Sequence, residues 1–93
     1  MQLNTSEVLV GLDGKALQDG ESELTVGKAL ANVLVNSGES IDPLKSYVLA
    51  RKFIDAQGEL ELDASDVSFL KSAIEKFNGY IVLVKGQLLE KFV

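Results

Sequence analysis

Apolar residues recur at every second position near the N-terminus, at positions 8, 10 and 12. A period of two is typical of a β-strand with one buried face. The dipeptide Asp13-Gly14 follows directly and favours a type I′ turn, because the two central residues of that turn need positive φ angles. The pattern therefore predicts a β-hairpin over residues 6–17, and Asp19-Gly20 predicts a second turn into an acidic loop at residues 21–23.

Further along the chain, apolar residues recur with the helical spacing of three and four positions. The first such segment predicts a helix over Val26–Asn36, with Thr25 as its N-cap and Ser37-Gly38 as its end. Asp42-Pro43 predicts the start of a second helix, because aspartate caps well and proline at the first helical position has no amide to leave unpaired. This helix is expected to end near residues 57–58.

The second predicted helix is apolar on more than one side. A helix of this kind lies at the centre of a bundle or forms an interface. Tyr47 on such a face is expected in the core or at an interface. Arg51 is either an edge residue with its charge in water or an interface contact to a carboxylate. The main apolar stripe of this second helix consists of Leu44, Tyr47, Val48, Arg51 and Ile54, and the stripe is widened by Leu49, Ala50 and Phe53.

Residues 59–62 alternate glutamate and leucine, which indicates a short strand or an extended connector with both leucines directed inward. As a strand, this segment would pair with the N-terminal hairpin. A third helix is predicted after it, with Asp63 or Ser65 as its cap and Asn78-Gly79 as its end. Its apolar stripe consists of Val67, Leu70, Ile74 and Phe77.

The last segment, residues 80–93, fits two structures. Its β-branched residues favour a strand at 80–84 followed by a short helix, with Gly86 in the turn. We favour the alternative, a helix from about Ile81 with Gly86 inside it as a close-packing point. The apolar stripe of that helix consists of Ile81, Val84, Leu88 and Phe92.

Together these elements predict a mainly α fold of the α+β class, in which an N-terminal β-hairpin, joined or not by a short third strand, packs on a bundle of three to four helices. A chain of 93 residues has the length of a single domain. In that domain, residues 1–24 form the hairpin and acidic loop and residues 25–93 the helical part. We expect a cytoplasmic protein without membrane contact, because no apolar run approaches the ~20 residues of a membrane span and the polar N-terminus lacks the regions of a signal peptide.

The chain contains neither histidine nor cysteine. Thiol nucleophiles, imidazole bases and the usual zinc ligands are therefore excluded. Residues 55–66 place oxygen-bearing side chains at the spacing of an EF-hand loop, with Gln57 at one ligand position, but Leu60 occupies the position where that loop needs glycine. We expect no metal, no cofactor and no enzymatic activity; the alternative in another class is a small hydrolase that uses paired carboxylates.

The net charge of −5 disfavours direct binding of nucleic acid, because phosphates are bound by lysine and arginine. An acidic surface instead suits a basic protein partner. Acidic residues concentrate in the segment 55–66, which carries no basic side chain. The candidate partner-binding residues are therefore Glu59, Glu61 and Asp63, together with Tyr47 and Arg51.

The order of these features resembles that of small accessory proteins of tailed phages and prophages. The likeness is carried by LDGK at 12–15, LTVGKALANVL at 24–34, LKSYVLARKFID at 44–55, GELELDASDVSFLKSAIEKF at 58–77 and VLVKGQLLEKF at 82–92. The resemblance transfers no catalytic or binding residue and implies an interaction protein located in the host cytoplasm. We expect a non-catalytic protein-interaction module that forms homo-oligomers. The alternatives are an acidic inhibitor of a host nucleic-acid-binding protein and a virion assembly chaperone.

Overall fold

The computed structural model describes residues 1–36, 42–56 and 58–92, and within them the chain forms four helices and four short strands. The predicted fold class, mainly α with β structure at the N-terminus packed on a helical bundle, is confirmed. The predicted helix end at Ser37-Gly38 lies outside the described residues. In chain order the elements are β1 (Gln2–Asn4), β2 (Gln18–Asp19), β3 (Ser22–Glu23), α1 (Val26–Asn36), α2 (Pro43–Asp55), β4 (Glu59–Glu61), α3 (Ala64–Lys76) and α4 (Val82–Glu90).

Helix α1 is the most completely buried helix, with seven of its eleven residues in the core. Its predicted bounds are confirmed, and so is its cap, because the Lys28 amide donates to Thr25 Oγ1 over 3.2 Å. The start of α1 lies against the end of α2, since a Cβ built on Gly27 would be 3.6 Å from the Phe53 carbonyl oxygen. Since α1 and α2 also pack along each other, they run antiparallel.

One cluster of buried apolar side chains connects the helices with the N-terminal segments. Each fully buried valine, leucine or isoleucine side chain contributes about 1.5–3 kcal/mol to the free energy of folding through its removal from water. The stripe predicted for the third helix is part of this cluster, in which Leu70 and Ile74 are fully buried. Other members with almost no exposed surface are Leu9, Val26, Leu30, Val33, Leu49, Leu62 and Leu88.

Residues 59–62 do form a strand, but its partner differs from the prediction. Strand β4 pairs antiparallel with β1, and Leu3 lies opposite Leu60. The hairpin β2–β3 forms a separate two-stranded sheet. Its turn contains Gly20 with φ of +67°, the conformation that the first central position of a type II′ turn requires. The second predicted turn is therefore confirmed, while part of the expected acidic loop is strand β3.

The first predicted hairpin is present only as a bridge between Val10 and Ala16, and its type I′ turn is wrong. Among the described residues, only glycines have positive φ, so Asp13 cannot occupy a central position of that turn. The Asp13 carboxylate accepts from the Lys15 amide at 3.0 Å, and the Gly14 amide donates to the Gly11 carbonyl oxygen at 2.9 Å. A local side-chain bond of this kind holds Asp13 at negative φ and leaves only Gly14, at +82°, in the left-handed region.

The last segment is the predicted helix, α4, and the alternative strand at residues 80–84 is excluded. Val84, Leu88 and Phe92 point into the core as expected, but Ile81, predicted for the same stripe, precedes the helix and is 68% exposed. The role predicted for Gly86 is wrong, because a Cβ built on it would meet no atom within 4 Å. This glycine lies on the side of α4 that faces water, away from the buried stripe.

Among the described residues, no helix is long and apolar enough to cross a membrane.

Candidate functional site

Helix α2 directs its predicted main stripe toward water and its widening residues toward the core. Ser46, Leu49, Ala50 and Phe53 are buried against the rest of the molecule. The outward side chains Leu44, Tyr47, Val48 and Ile54 are 70%, 56%, 44% and 65% exposed. A central position for α2 is therefore wrong, because α1 occupies that place, and the stripe is available to another molecule.

The outward face of α2 borders a groove of about 520 Å³ between α1 and α2. Its floor contains the small buried residues Ala31 and Ala50, whose side chains end at Cβ and leave space above them. Its apolar walls come from Val35 on α1 and from Tyr47 and Ile54 on α2. A groove of this kind, apolar with charges at its margins, suits an amphipathic helix.

Tyr47 and Arg51 form one unit along the wall of this groove. They are four residues apart on α2 and therefore neighbours on its surface. An Arg51 guanidinium nitrogen donates to the Tyr47 hydroxyl at 3.5 Å, and the guanidinium carbon lies 5.9 Å from the centre of the ring. The hydrogen bond that Arg51 donates to Tyr47, with the nearby Asp55 carboxylate, raises the pKa of Arg51 above its ordinary value. Arg51 is thus a permanent positive charge within the apolar face.

The charges around the groove balance. Lys28 and Arg51 supply two positive charges, and Asp19 and Asp55 supply two negative charges. Lys28 is held in place because its ammonium group donates to Ser22 Oγ at 2.9 Å and to the Glu23 carbonyl oxygen at 3.3 Å. The groove is therefore neutral in a chain whose net charge is −5.

The three acidic candidates lie elsewhere and do not line this groove. Glu59 and Glu61 are exposed on β4, and Glu61 accepts from the N-terminal amine at 3.2 Å. Asp63 caps α3, because its carboxylate accepts from the Asp66 amide at 2.7 Å while the Asp66 carboxylate accepts from the Asp63 amide at 3.3 Å. The structure therefore places the five candidates in two separate regions, with only Tyr47 and Arg51 at the groove.

Residues 58–66 form strand β4 and the cap of α3 rather than a loop that surrounds a cation. Across residues 1–36, 42–56 and 58–92, no three carboxylates lie close enough together to hold a metal ion. Gln57, one ligand position of the EF-hand pattern, lies outside the described residues.

The wall that α1 gives to the groove was not predicted from the sequence. The apolar stripe of α1 accounts for Val26, Leu30, Val33 and Leu34, all of which are buried. Val35 is 61% exposed and falls outside that stripe. An apolar residue on the polar side of an otherwise regular amphipathic helix was the available signal for this surface.

Comparison of the chain with protein-family models, curated proteins and solved structures gives no match. The physical evidence for a function therefore comes from the groove and from the outward face of α2.

Proposed function

We propose that this protein is a non-catalytic protein-interaction module that associates with a second copy of itself through the outward face of α2 and the adjoining groove. The observation that carries the proposal is an exposed apolar surface shared by two neighbouring helices. Exposed apolar patches rimmed by polar groups are typical of interaction sites, and burial contributes about 25 cal/mol per Å². The surface consists of Val35, Leu44, Tyr47, Val48 and Ile54.

A second copy is the partner that the charges favour. In a two-fold dimer the same patch meets itself, so any net charge on the patch is repelled by its own copy. The groove carries two positive and two negative side chains, although the chain as a whole is acidic. Two neutral grooves can therefore approach each other without net repulsion, and Arg51 of one copy can meet a carboxylate or an aromatic ring of the other.

A non-catalytic role is supported by the kinds of side chain that the chain contains. Histidine and cysteine are absent from the sequence, so neither can act as a nucleophile or base. At the groove, the Lys28 ammonium group donates hydrogen bonds to Ser22 Oγ and to the Glu23 carbonyl oxygen, and Arg51 donates to the Tyr47 hydroxyl. These contacts stabilise the surface around the groove.

The resemblance to accessory proteins of tailed phages and prophages supports a phage setting for this module. The two alternatives, an acidic inhibitor of a host nucleic-acid-binding protein and a virion assembly chaperone, are interactions with other proteins. An inhibitor would use the exposed carboxylates of Glu59 and Glu61. Charge reversal at these two residues separates inhibition from self-association, because neither side chain lies on α2.

The test compares two substitutions that place an aspartate in the first turn of a helix. Leu44→Asp changes the outward face of α2, and Val82→Asp changes α4 at a side chain that is 85% exposed. An acidic side chain in the first turn interacts favourably with the helix dipole, so both variants are expected to fold. Circular dichroism checks that expectation.

In size-exclusion chromatography with light scattering, the unmodified chain and Val82→Asp are expected to associate as concentration rises, while Leu44→Asp stays monomeric. Equal association of the two folded variants would contradict the proposal, and so would loss of association in Val82→Asp alone.

A further inference from the structure

Four outward residues of α2 follow the spacing of a coiled-coil seam. Leu44, Tyr47, Arg51 and Ile54 are separated by three, four and three positions, which corresponds to a, d, a and d of a heptad. Their side chains lie on the exposed side of the helix, opposite the buried Leu49 and Phe53. The seam is therefore directed toward a partner helix outside the monomer.

A parallel pair of α2 helices would bring equivalent positions together. Arg51 would then face Arg51 of the second copy, and two guanidinium groups would meet across the seam. Like charges placed opposite each other in an apolar seam oppose association. The parallel arrangement is thus disfavoured by the one charged residue of the seam.

An antiparallel pair brings each a position against a d position. Leu44 then faces Ile54 of the second copy, which joins two apolar side chains at each end of the seam. Tyr47 faces Arg51 of the second copy, so the guanidinium meets an aromatic ring twice, once on each side of the axis. The two-fold axis crosses α2 level with Leu49, midway between Tyr47 and Arg51.

The groove fits the same arrangement. Because α1 and α2 run antiparallel, an added helix that is antiparallel to α2 runs parallel to α1 and can lie above Ala31 and Ala50. Each α2 would thereby contact both Val35 and α2 of the other copy. At the interface, α1 and α2 of the two copies would together form a group of four helices with a shared apolar seam, the packing of a small bundle.

We infer that two copies of this chain dock α2 against α2 in antiparallel orientation, with Leu44 facing Ile54 and Tyr47 facing Arg51 across a two-fold axis. The inference rests on the proposed self-association and adds its geometry. It also assigns Tyr47 and Arg51 a shared role as the central contact that fixes the orientation of the pair.

The absence of cysteine from the chain allows a direct test by disulfide cross-linking. Leu44→Cys and Ile54→Cys are prepared as separate single variants, with Val82→Cys as a control for random collision. In the antiparallel pair, two L44C side chains are about 15 Å apart along the helix axis, at ~1.5 Å per residue. That separation exceeds the ~7 Å limit between the Cα atoms of a disulfide.

Under mild oxidation, a covalent dimer is expected in the mixture of L44C and I54C and is expected to be lost when either variant, or V82C, is oxidised alone. A covalent dimer of L44C alone would overturn the antiparallel docking and leave self-association intact. A non-covalent dimer that forms no cross-link in the mixture would also overturn the antiparallel docking and leave self-association intact. Sedimentation of the reduced variants and the unmodified chain as monomers at every concentration would overturn the proposed function itself.

Discussion

Two helical glycines, Gly27 and Gly86, occupy opposite environments. A Cβ on Gly27 would lie 3.0 Å from both the Cβ and the carbonyl oxygen of Thr5, and the Gly27 amide donates to that same oxygen at 2.9 Å. A Cβ on Gly86 would meet no atom within 4 Å. Glycine at position 27 therefore allows α1 to approach the N-terminal segment, while glycine at position 86 only weakens α4.

Alanine at these two positions is expected to change the free energy of unfolding in opposite directions. Gly86→Ala should raise it by about 0.5–1 kcal/mol, because alanine has the higher helix propensity and nothing obstructs its methyl group. Gly27→Ala should lower it by about 1–3 kcal/mol, because the backbone at Thr5 has to move. Urea denaturation of the two variants measures both effects. A shift of the same sign in both would contradict the contacts assigned here.

At the scale of single residues, the sequence predicts features whose cause is local. The caps at Thr25, Asp42 and Asp63 were predictable because a cap bonds to amides two or three residues away, and the structure contains all three. The preference for Asp63 over Ser65 follows from the reciprocal bond with Asp66. The close-packing role expected for Gly86 conflicts with the stripe predicted for the same helix, because a residue two positions from both Val84 and Leu88 lies on the opposite side.

At the scale of elements, the Gln87 side chain joins the first hairpin to α4. The Val10 amide donates to Gln87 Oε1 at 3.0 Å, and Gln87 Nε2 donates to the Val10 carbonyl oxygen at 2.6 Å. This pair of bonds uses the backbone groups of Val10 that face away from its bridge partner Ala16, where a longer sheet would place another strand. The hairpin is therefore held by α4 across 77 positions of the sequence.

Replacement of Gln87 by alanine should release this hairpin without unfolding the protein. The Val10 amide loses its acceptor, so its hydrogen exchange should accelerate by about tenfold, the change that ~1.4 kcal/mol of local stability produces. Exchange measured by NMR tests this, with Glu90→Ala on the exposed side of α4 as the matched control. Unchanged exchange at Val10 in Gln87→Ala would show that these bonds do not hold the hairpin.

The strands show why elements are easier to predict than their pairing. Alternating leucines indicated a strand at residues 59–62, and β4 forms there. Its partner, Gln2–Asn4, is too short to show a period of two, and the pair is separated by more than fifty residues. The hairpin at residues 6–17 had the stronger alternation and was therefore the expected partner, but it packs against α4 instead.

At the scale of the whole molecule, the orientation of α2 determines which surface is left for a partner. Both sides of this helix are apolar, with Leu49 and Phe53 on one and Leu44 and Ile54 on the other. Periodicity within the helix cannot decide which side is buried, because that choice depends on the fit against α1. The sequence therefore predicted that α2 is in the core or at an interface, and the structure places the side with Tyr47 and Arg51 outward.

Sedimentation equilibrium of the unmodified chain measures whether this outward surface binds its own copy. Over the micromolar to millimolar range, the average mass is predicted to rise from the 10.0 kDa of one chain toward twice that value and to stop there, because a two-fold interface closes on itself. A mass that stays at one chain at every concentration, or that grows beyond two chains without limit, would show that α2 does not form a closed two-fold interface.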